Sequence, residues 1–508
     1  MKRFFNMAAT GRLTGKIAGP VPESDRSCRL PLLVLFVSAA VWLVLGSAFS
    51  LIASLKFHSP NFLADCSWLT YGRVRPACNN SLLYGFCLQA GLGVALWLFT
   101  RLGGTALAQR WLVTVGAILW NAGVTAGVLG ILAGDSTGFE NLEMPRYGAL
   151  VLFLGYLMVG LGGVLTFHQR RQRALFASQW FVVAALFWFP WIYSTAELLL
   201  VMFPVRGVAQ SVIAWWYTGN IQPVWLGLVG VAAVFYFLPK LTERELHSGY
   251  LAQFAFWTLI LFGSWCGIPN SAPLPAWMPA LSTVASVLTV IPIVTVALNI
   301  YGTLRGERRS VGAWERGSVG TTLRRSDAPR SDAAILRFIG TGVIAFMVAG
   351  LMNALGAPLH HSQVTDFTWF IPARVQLGSY GFFAMVMFGA IYYIVPRLVG
   401  IEFPSPKFIR SHFWLALLGI LLTVVPLAIG GIVQGLELQN ATIPFTEVVK
   451  ATLPFLRVST LGDVLIALGH ICFLANLAGL VARFSRARAT AAYAAATAGL
   501  FEPEGAKL

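Results

Sequence analysis

Long apolar runs separated by short polar stretches recur along the whole chain, at 31–53, 82–100, 111–133, 147–167, 176–202, 208–238, 250–268, 277–301, 335–356, 375–396, 412–434 and 460–482. Most reach the ~20 residues that carry a helix across hydrocarbon. The run at 208–238 is longer, which implies tilt or extension beyond the bilayer. The pattern predicts an all-α, polytopic membrane protein with about twelve transmembrane helices. It divides the chain into a basic arm (1–29), eight spans (30–301), an Arg-rich linker (302–332), four spans (333–483) and an Ala-rich tail (484–508) that reads as a frayed surface helix. The arm does not read as a cleavable signal peptide, because the apolar run after it is too long.

Composition agrees. Charged residues are 11% of the 508 and hydrophobic ones 57%, whereas soluble domains carry roughly 25% charged residues. The net charge of +16 raises the question of nucleic acid. Its distribution answers it, because the cations sit in short loops between spans. Lys2, Arg3, Arg12, Lys16, Arg26 and Arg29, then Arg101 and Arg110, then Arg170, Arg171 and Arg173, then the 302–332 stretch, then Arg483, Arg486 and Arg488 all fall on one side if the spans alternate. The positive-inside rule places that side, with both termini, in the cytoplasm. Arg73, Arg75, Lys450 and Arg457 are exceptions on the outer side.

Three segments carry a family resemblance. The sixth span reads Trp215-Trp216-Tyr217-Thr218-Gly219-Asn220, continues through Tyr236, and ends Leu238-Pro239-Lys240 before Glu243-Arg244. The second span opens Tyr71-Gly72-Arg73-Val74-Arg75-Pro76-Ala77-Cys78-Asn79-Asn80, with Tyr84-Gly85-Phe86 following. The tenth holds Arg374-Val375-Gln376-Leu377-Gly378-Ser379-Tyr380-Gly381 and runs on through Phe388-Gly389-Ala390-Ile391-Tyr392-Tyr393-Ile394-Val395-Pro396-Arg397-Leu398. These resemble subunit I of the C-family (cbb-type) heme–copper cytochrome c oxidases, which also has twelve spans. The resemblance implies a bacterial inner-membrane respiratory complex with heme b, copper and other subunits, such as a membrane-anchored c-type cytochrome.

The departures fall on the metal ligands. Where the family places heme histidines, this chain has Cys78, Arg374 and Gln376. The copper histidine of the sixth span is Gly219, the histidine pair after the seventh span is replaced around Pro269 and Asn270, and the cross-linked tyrosine maps to Gly263. Imidazole ligates iron and copper through a neutral nitrogen, whereas arginine does not deprotonate in proteins. The resemblance therefore implies heme and copper, while the ligand positions imply neither.

Other side chains are candidate substitutes. His360 and His361, in the outside loop before the tenth span, could hold a surface copper or an interfacial heme contact, against the simpler reading of a solvated pair. His470 lies inside the twelfth span, where ionisable groups are often functional; a neutral histidine bonded to a neighbouring helix is the simpler reading. His58, His168, His247 and His412 read as interfacial. Cys66 and Cys78 share the first outside loop and could form a disulfide, Cys78 could ligate heme as a thiolate, and no C-x-x-C pair is present. Glu197 reads either as a proton-relay or ion site or as a helix-end carboxylate, and Asp463 more as the latter. Arg73 and Arg75 resemble family arginines beside the heme propionates; without heme they could pair with Asp366 or a partner.

The expected function is a non-catalytic, scaffold-like subunit I of a respiratory electron-transfer complex. The alternatives are a transporter, channel or quinone-binding protein whose vacated cavity is lined by Glu197, Arg374 and Gln376, or an oxidase or nitric-oxide reductase with altered ligation.

Overall fold

The computed structural model describes residues 21–307 and 329–498, and among them every long element is helical. In chain order these are α1 (Glu23–Leu55), α2 (Tyr71–Gly103), α3 (Arg110–Ala133), α4 (Arg146–His168), α5 (Ala177–Met202), α6 (Val208–Thr242), α7 (Gly249–Gly263), α8 (Trp277–Arg305), α9 (Pro329–Gly356), α10 (Phe370–Val399), α11 (Pro406–Leu438) and α12 (Phe445–Ala498). Eleven are long and apolar enough to cross a membrane. The exception, α7, has 15 residues, about 22 Å of helix against ~30 Å of hydrocarbon.

Several expected boundaries shift. The second span begins at Tyr71, so Cys78 lies within a helix and not in a loop. The seventh stops at Gly263, short of the expected 268. Seven residues of the supposed arm belong to α1, which starts at Glu23. The linker is trimmed from both sides by α8 and α9, and its middle, 308–328, lies outside the described residues, as do most of the arm and residues 499–508. The tail is not a separate surface helix, since α12 continues unbroken to Ala498.

Burial sorts the helices. Of the most apolar 18 residues in each, 94% are buried in α2, 83% in α6 and 89% in α10, against 33–56% in the other spanning helices. Lipid replaces water around the outer helices, so they expose residues such as Leu154, Phe187 and Leu461 at no cost. Small residues bring neighbours close: a Cβ added at Gly148 on α4 would lie 2.8 Å from the Gly127 Cα on α3, the backbone-to-backbone packing that drives association in membranes. The three family-like segments are thus the three innermost helices.

Candidate functional site

In each innermost helix one of the residues singled out in the sequence is followed by a wide, π-type turn: Ser81–Leu88 after Cys78, Asn220–Leu226 after Gly219, and Leu377–Ala384 after Gln376. Such turns concentrate at functional sites because one extra residue re-aims the side chains around it. A fourth π-type turn, Glu197–Met202, ends α5. None of these turns was visible in the sequence.

At Gly219 the chain is closed by its own backbone. Gly219 packs under the loop that follows α7, and a Cβ added there would collide with the Cys266 carbonyl oxygen. The loop makes this approach by turning at Gly267, whose φ of +106° suits glycine. A Cβ at Gly267 would itself sit 3.2 Å from the Gly219 Cα and 3.3 Å from the Trp215 carbonyl oxygen. Gly263 faces Val224, 3.0 Å from the position a Cβ would take. Beyond the turn, Asn270 is fully engaged. Its Nδ2 donates to the Ala357 carbonyl (2.8 Å) and Ser362 Oγ (3.0 Å), while Thr283 donates to its Oδ1 (2.7 Å). Pro269 starts the turn that ends at Ala272.

Arg374 donates from Nη1 to Asn353 Oδ1, tying α10 to α9. Its charge also faces Asp366 and Cys266. Burial raises the Asp366 carboxyl above its ordinary value, and Arg374 opposes that rise. Asp366 therefore has Arg374 as its cationic neighbour, so of the two pairings open to Arg73 and Arg75 the one with Asp366 is not seen among the described residues. Arg73 instead reaches back to α3, donating to the Leu132 carbonyl (3.1 Å). Arg75 and Gln376 line a cavity of about 50 Å³ with Ser50, Ser54, Thr423 and Asp463. Ligand pockets usually hold ~300 Å³ or more.

Glu197 is buried, with Tyr193 beside its carboxyl. Nearby, Tyr84 and Tyr217 share a 2.6 Å hydroxyl contact, and Tyr84 donates to the Asn141 carbonyl. In the loop after α3, Glu143 accepts from Asn80 Nδ2 (2.8 Å). Burial raises its carboxyl from 4.5 to about 7 despite that bond. Glu197, Arg374 and Gln376 have three different sets of neighbours, so they do not form the shared lining expected of them.

The histidines separate clearly. His360 and His361 are exposed on the short helix Leu359–Thr365, with ring centroids 5.8 Å apart. Among the described residues no three His, Cys, Asp or Glu side chains gather as a metal site would require. His470 has both ring nitrogens engaged, Nδ1 with Ser47 Oγ (2.5 Å) and Nε2 with the Tyr380 hydroxyl (2.7 Å). His412 is not interfacial. The Ser405 side chain caps α11 and starts it at Pro406, which carries His412 inward to a fully buried position against Tyr392 (3.0 Å). Cys66 and Cys78 are both free thiols, because Cys78 is buried on α2 while Cys66 sits in the loop.

The fold and these inner helices define a polytopic, all-α membrane protein. Residues 31–465 match the family described as cytochrome c and quinol oxidase polypeptide I, and the chain belongs to that family. Among its relatives are a cytochrome c oxidase subunit 1 homolog of Azorhizobium caulinodans (25% identical over 86% of this chain and 79% of the relative) and the cbb3-type cytochrome c oxidase subunit CcoN1 of Stutzerimonas stutzeri (25%, over 87% and 92%). A nitric oxide reductase subunit of Stutzerimonas stutzeri is 23% identical over 86% of this chain and 92% of that one. A heme–copper terminal oxidase dimer solved by cryo-electron microscopy shares the fold, with a TM-score of 0.69 at 15% identity, over 89% of this chain and 83% of its own.

Proposed function

We propose that this cbb3-type subunit I-like membrane protein is a non-catalytic scaffold in a bacterial inner-membrane respiratory complex, with both termini on the cytoplasmic side. The observation that carries this reading is the closure of Gly219 under the Cys266–Gly267 backbone. Copper at that position needs an imidazole, and the space does not admit a Cβ. The residues present do not fit heme and copper. Cys78 is buried against Ser50, Gln376 borders a cavity too small for a porphyrin, and Arg374, which cannot ligate a metal, is engaged by Asn353 and Asp366.

What supports a scaffold role is the framework that survives. The aromatic core around Trp97, Phe237 and Tyr393 is tightly packed, as a subunit must be to present fixed surfaces to partners. A membrane-anchored c-type cytochrome is the partner that the resemblance implies. The transporter alternative is not favoured, because its three lining residues are dispersed.

The test is purification of the native assembly under mild detergent, followed by heme and copper analysis of the isolated chain and identification of its co-purifying subunits. The reading expects respiratory subunits to co-purify and neither cofactor to be stoichiometric with this chain. Stoichiometric heme or copper on the isolated chain would overturn it.

A further inference from the structure

Helices α1 and α3 begin at the same membrane face and run side by side. Further in, Asn121 on α3 donates to Ser38 Oγ (3.1 Å) and accepts from Trp42 Nε1 (3.1 Å), both on α1. Near their first turns Ser27 on α1 accepts from the Leu107 N–H (2.9 Å), which fixes the loop before α3 against α1. Here lies a cavity of about 350 Å³, lined by Val21, Glu23, Arg26, Ser27 and Arg110. Its volume falls in the ~300–1,000 Å³ range usual for ligand pockets.

The charges in this cavity are opposite and unmatched. Arg26 donates from Nη2 to the Val21 carbonyl (3.4 Å), which holds its guanidinium at the cavity wall. Glu23 lines the same cavity, yet among the described residues neither arginine forms an ion pair with it or with any other carboxylate. Arg29, the next arginine on α1, is committed elsewhere: it donates to the Leu398 carbonyl (2.6 Å) and lies over the Phe484 ring. Opposite charges that share a cavity without touching are complementary to a group that carries both.

Depth narrows the choice of group. The apolar runs of the two helices begin at residues 31 and 111. Arg110 therefore stands at the edge of the hydrocarbon, and Arg26 about 7 Å outside it. The headgroup layer is about 5–8 Å thick on each side. Leu30, one turn along α1 from Arg26, and Trp111, next to Arg110, are both exposed on the apolar side of the cavity. Trp111 Nε1 donates to Gln109 Oε1 (3.0 Å), so the indole has one polar and one apolar end, as interfacial tryptophans do. The basic arm does not supply the missing partner, since residues 1–20 hold Lys2, Arg3, Arg12 and Lys16 and no Asp or Glu.

We propose that this cavity binds the headgroup of a phosphatidylethanolamine lipid, with the phosphate on Arg26 and Arg110 and the ammonium on Glu23. The guanidinium fork suits phosphate oxygens, and a primary ammonium brings three donors to the carboxylate. The acyl chains then pass Leu30 and Trp111 into the bilayer. A glycerol headgroup leaves Glu23 facing a phosphate without a cation between them. A choline headgroup has the cation but no N–H to donate.

The experiment strips lipid from the purified full-length chain in detergent and adds back phosphatidylethanolamine, phosphatidylglycerol or phosphatidylcholine with identical acyl chains. Native mass spectrometry counts the lipid retained, and thermal unfolding reports its stabilisation. Wild type is expected to retain the ethanolamine lipid in preference to the other two and to melt higher with it. R26Q/R110Q is expected to bind it about tenfold more weakly, the scale on which hydrogen bonds to charged groups act. E23Q is expected to keep binding lipid but to lose the preference for ethanolamine. All three side chains are exposed, so both variants are expected to melt like wild type before lipid is added. Retention of the ethanolamine lipid by R26Q/R110Q at the wild-type level would overturn the proposal. So would a wild-type preference for phosphatidylglycerol, equal retention of all three lipids, or displacement of the lipid by inorganic phosphate, which would mark a site for a free anion. None of these results bears on the scaffold reading, which rests on cofactor content.

Discussion

Gly219 on α6 lies directly beneath the carbonyl of Cys266, and this contact, between two residues remote in sequence, leaves no room for a side chain at Gly219. The seal has two glycine sides, Gly219 and Gly267, so neither backbone can retreat without disturbing the other. Substituting Gly219→Ala is expected to destabilise the protein by about 1–3 kcal/mol, the usual cost of forcing a methyl into packed space. Thermal unfolding in detergent measures it. An alanine variant as stable as wild type would mean that the loop yields easily, and the argument for a closed site would fail with it.

Restoring ligands is expected not to restore a cofactor. In C78H/Q376H two imidazoles would replace side chains at positions that the resemblance assigns to heme ligands, yet the cavity beside Gln376 is only about 50 Å³. Pyridine-hemochrome analysis of the double variant, expressed with ample heme supply, should give no more b-type heme than wild type. Stoichiometric heme would show that the site reopens once ligands return.

The innermost helices are the most legible part of the sequence, because α2, α6 and α10 keep aromatic and glycine patterns dictated by packing against each other. Local composition is less informative at helix ends. The sequence makes His412 look interfacial because the apolar run begins there, whereas the Ser405 cap and Pro406 start α11 almost two turns earlier. Cys78 looks like a loop residue for the same reason, as Arg73 and Arg75 make the start of α2 polar. The π-type turns and the Gly219–Cys266 contact are invisible in the sequence, since both depend on which helices meet and not on any local pattern. Asp463 and His470 stand out separately, but their contacts with Ser54 and Ser47 need the antiparallel pairing of α1 and α12.

The two thiols of the first outer region are expected to differ in reactivity. Cys66 is partly exposed in its loop, while Cys78 is 7% exposed on α2. A membrane-impermeant maleimide should label Cys66 in the folded protein and leave Cys78 unmodified until denaturant is added. The C66S variant isolates the Cys78 signal by mass spectrometry. If neither residue reacts after denaturation without reductant, they are bonded to each other and the geometry described for α2 is wrong.

Stability is expected to fall as pH rises through neutrality, and Glu143 contributes to that fall. Its carboxyl is buried beside Asn80, and burial raises it from 4.5 to about 7. A carboxyl held above its unfolded value favours the fold while protonated. The contribution is complete below about pH 4.5 and disappears as pH climbs through about 7. A rise of that size corresponds to on the order of 3 kcal/mol between the two limits. Asp366 is raised by burial as well, so it tilts the profile the same way. In E143Q the side-chain carbonyl still accepts from Asn80 but no longer ionises, so thermal stability measured from pH 5 to pH 8 should decline less steeply than in wild type. An unchanged slope would show that Glu143 ionises as readily in the folded protein as in the unfolded chain, which its burial between α2 and the loop after α3 does not allow.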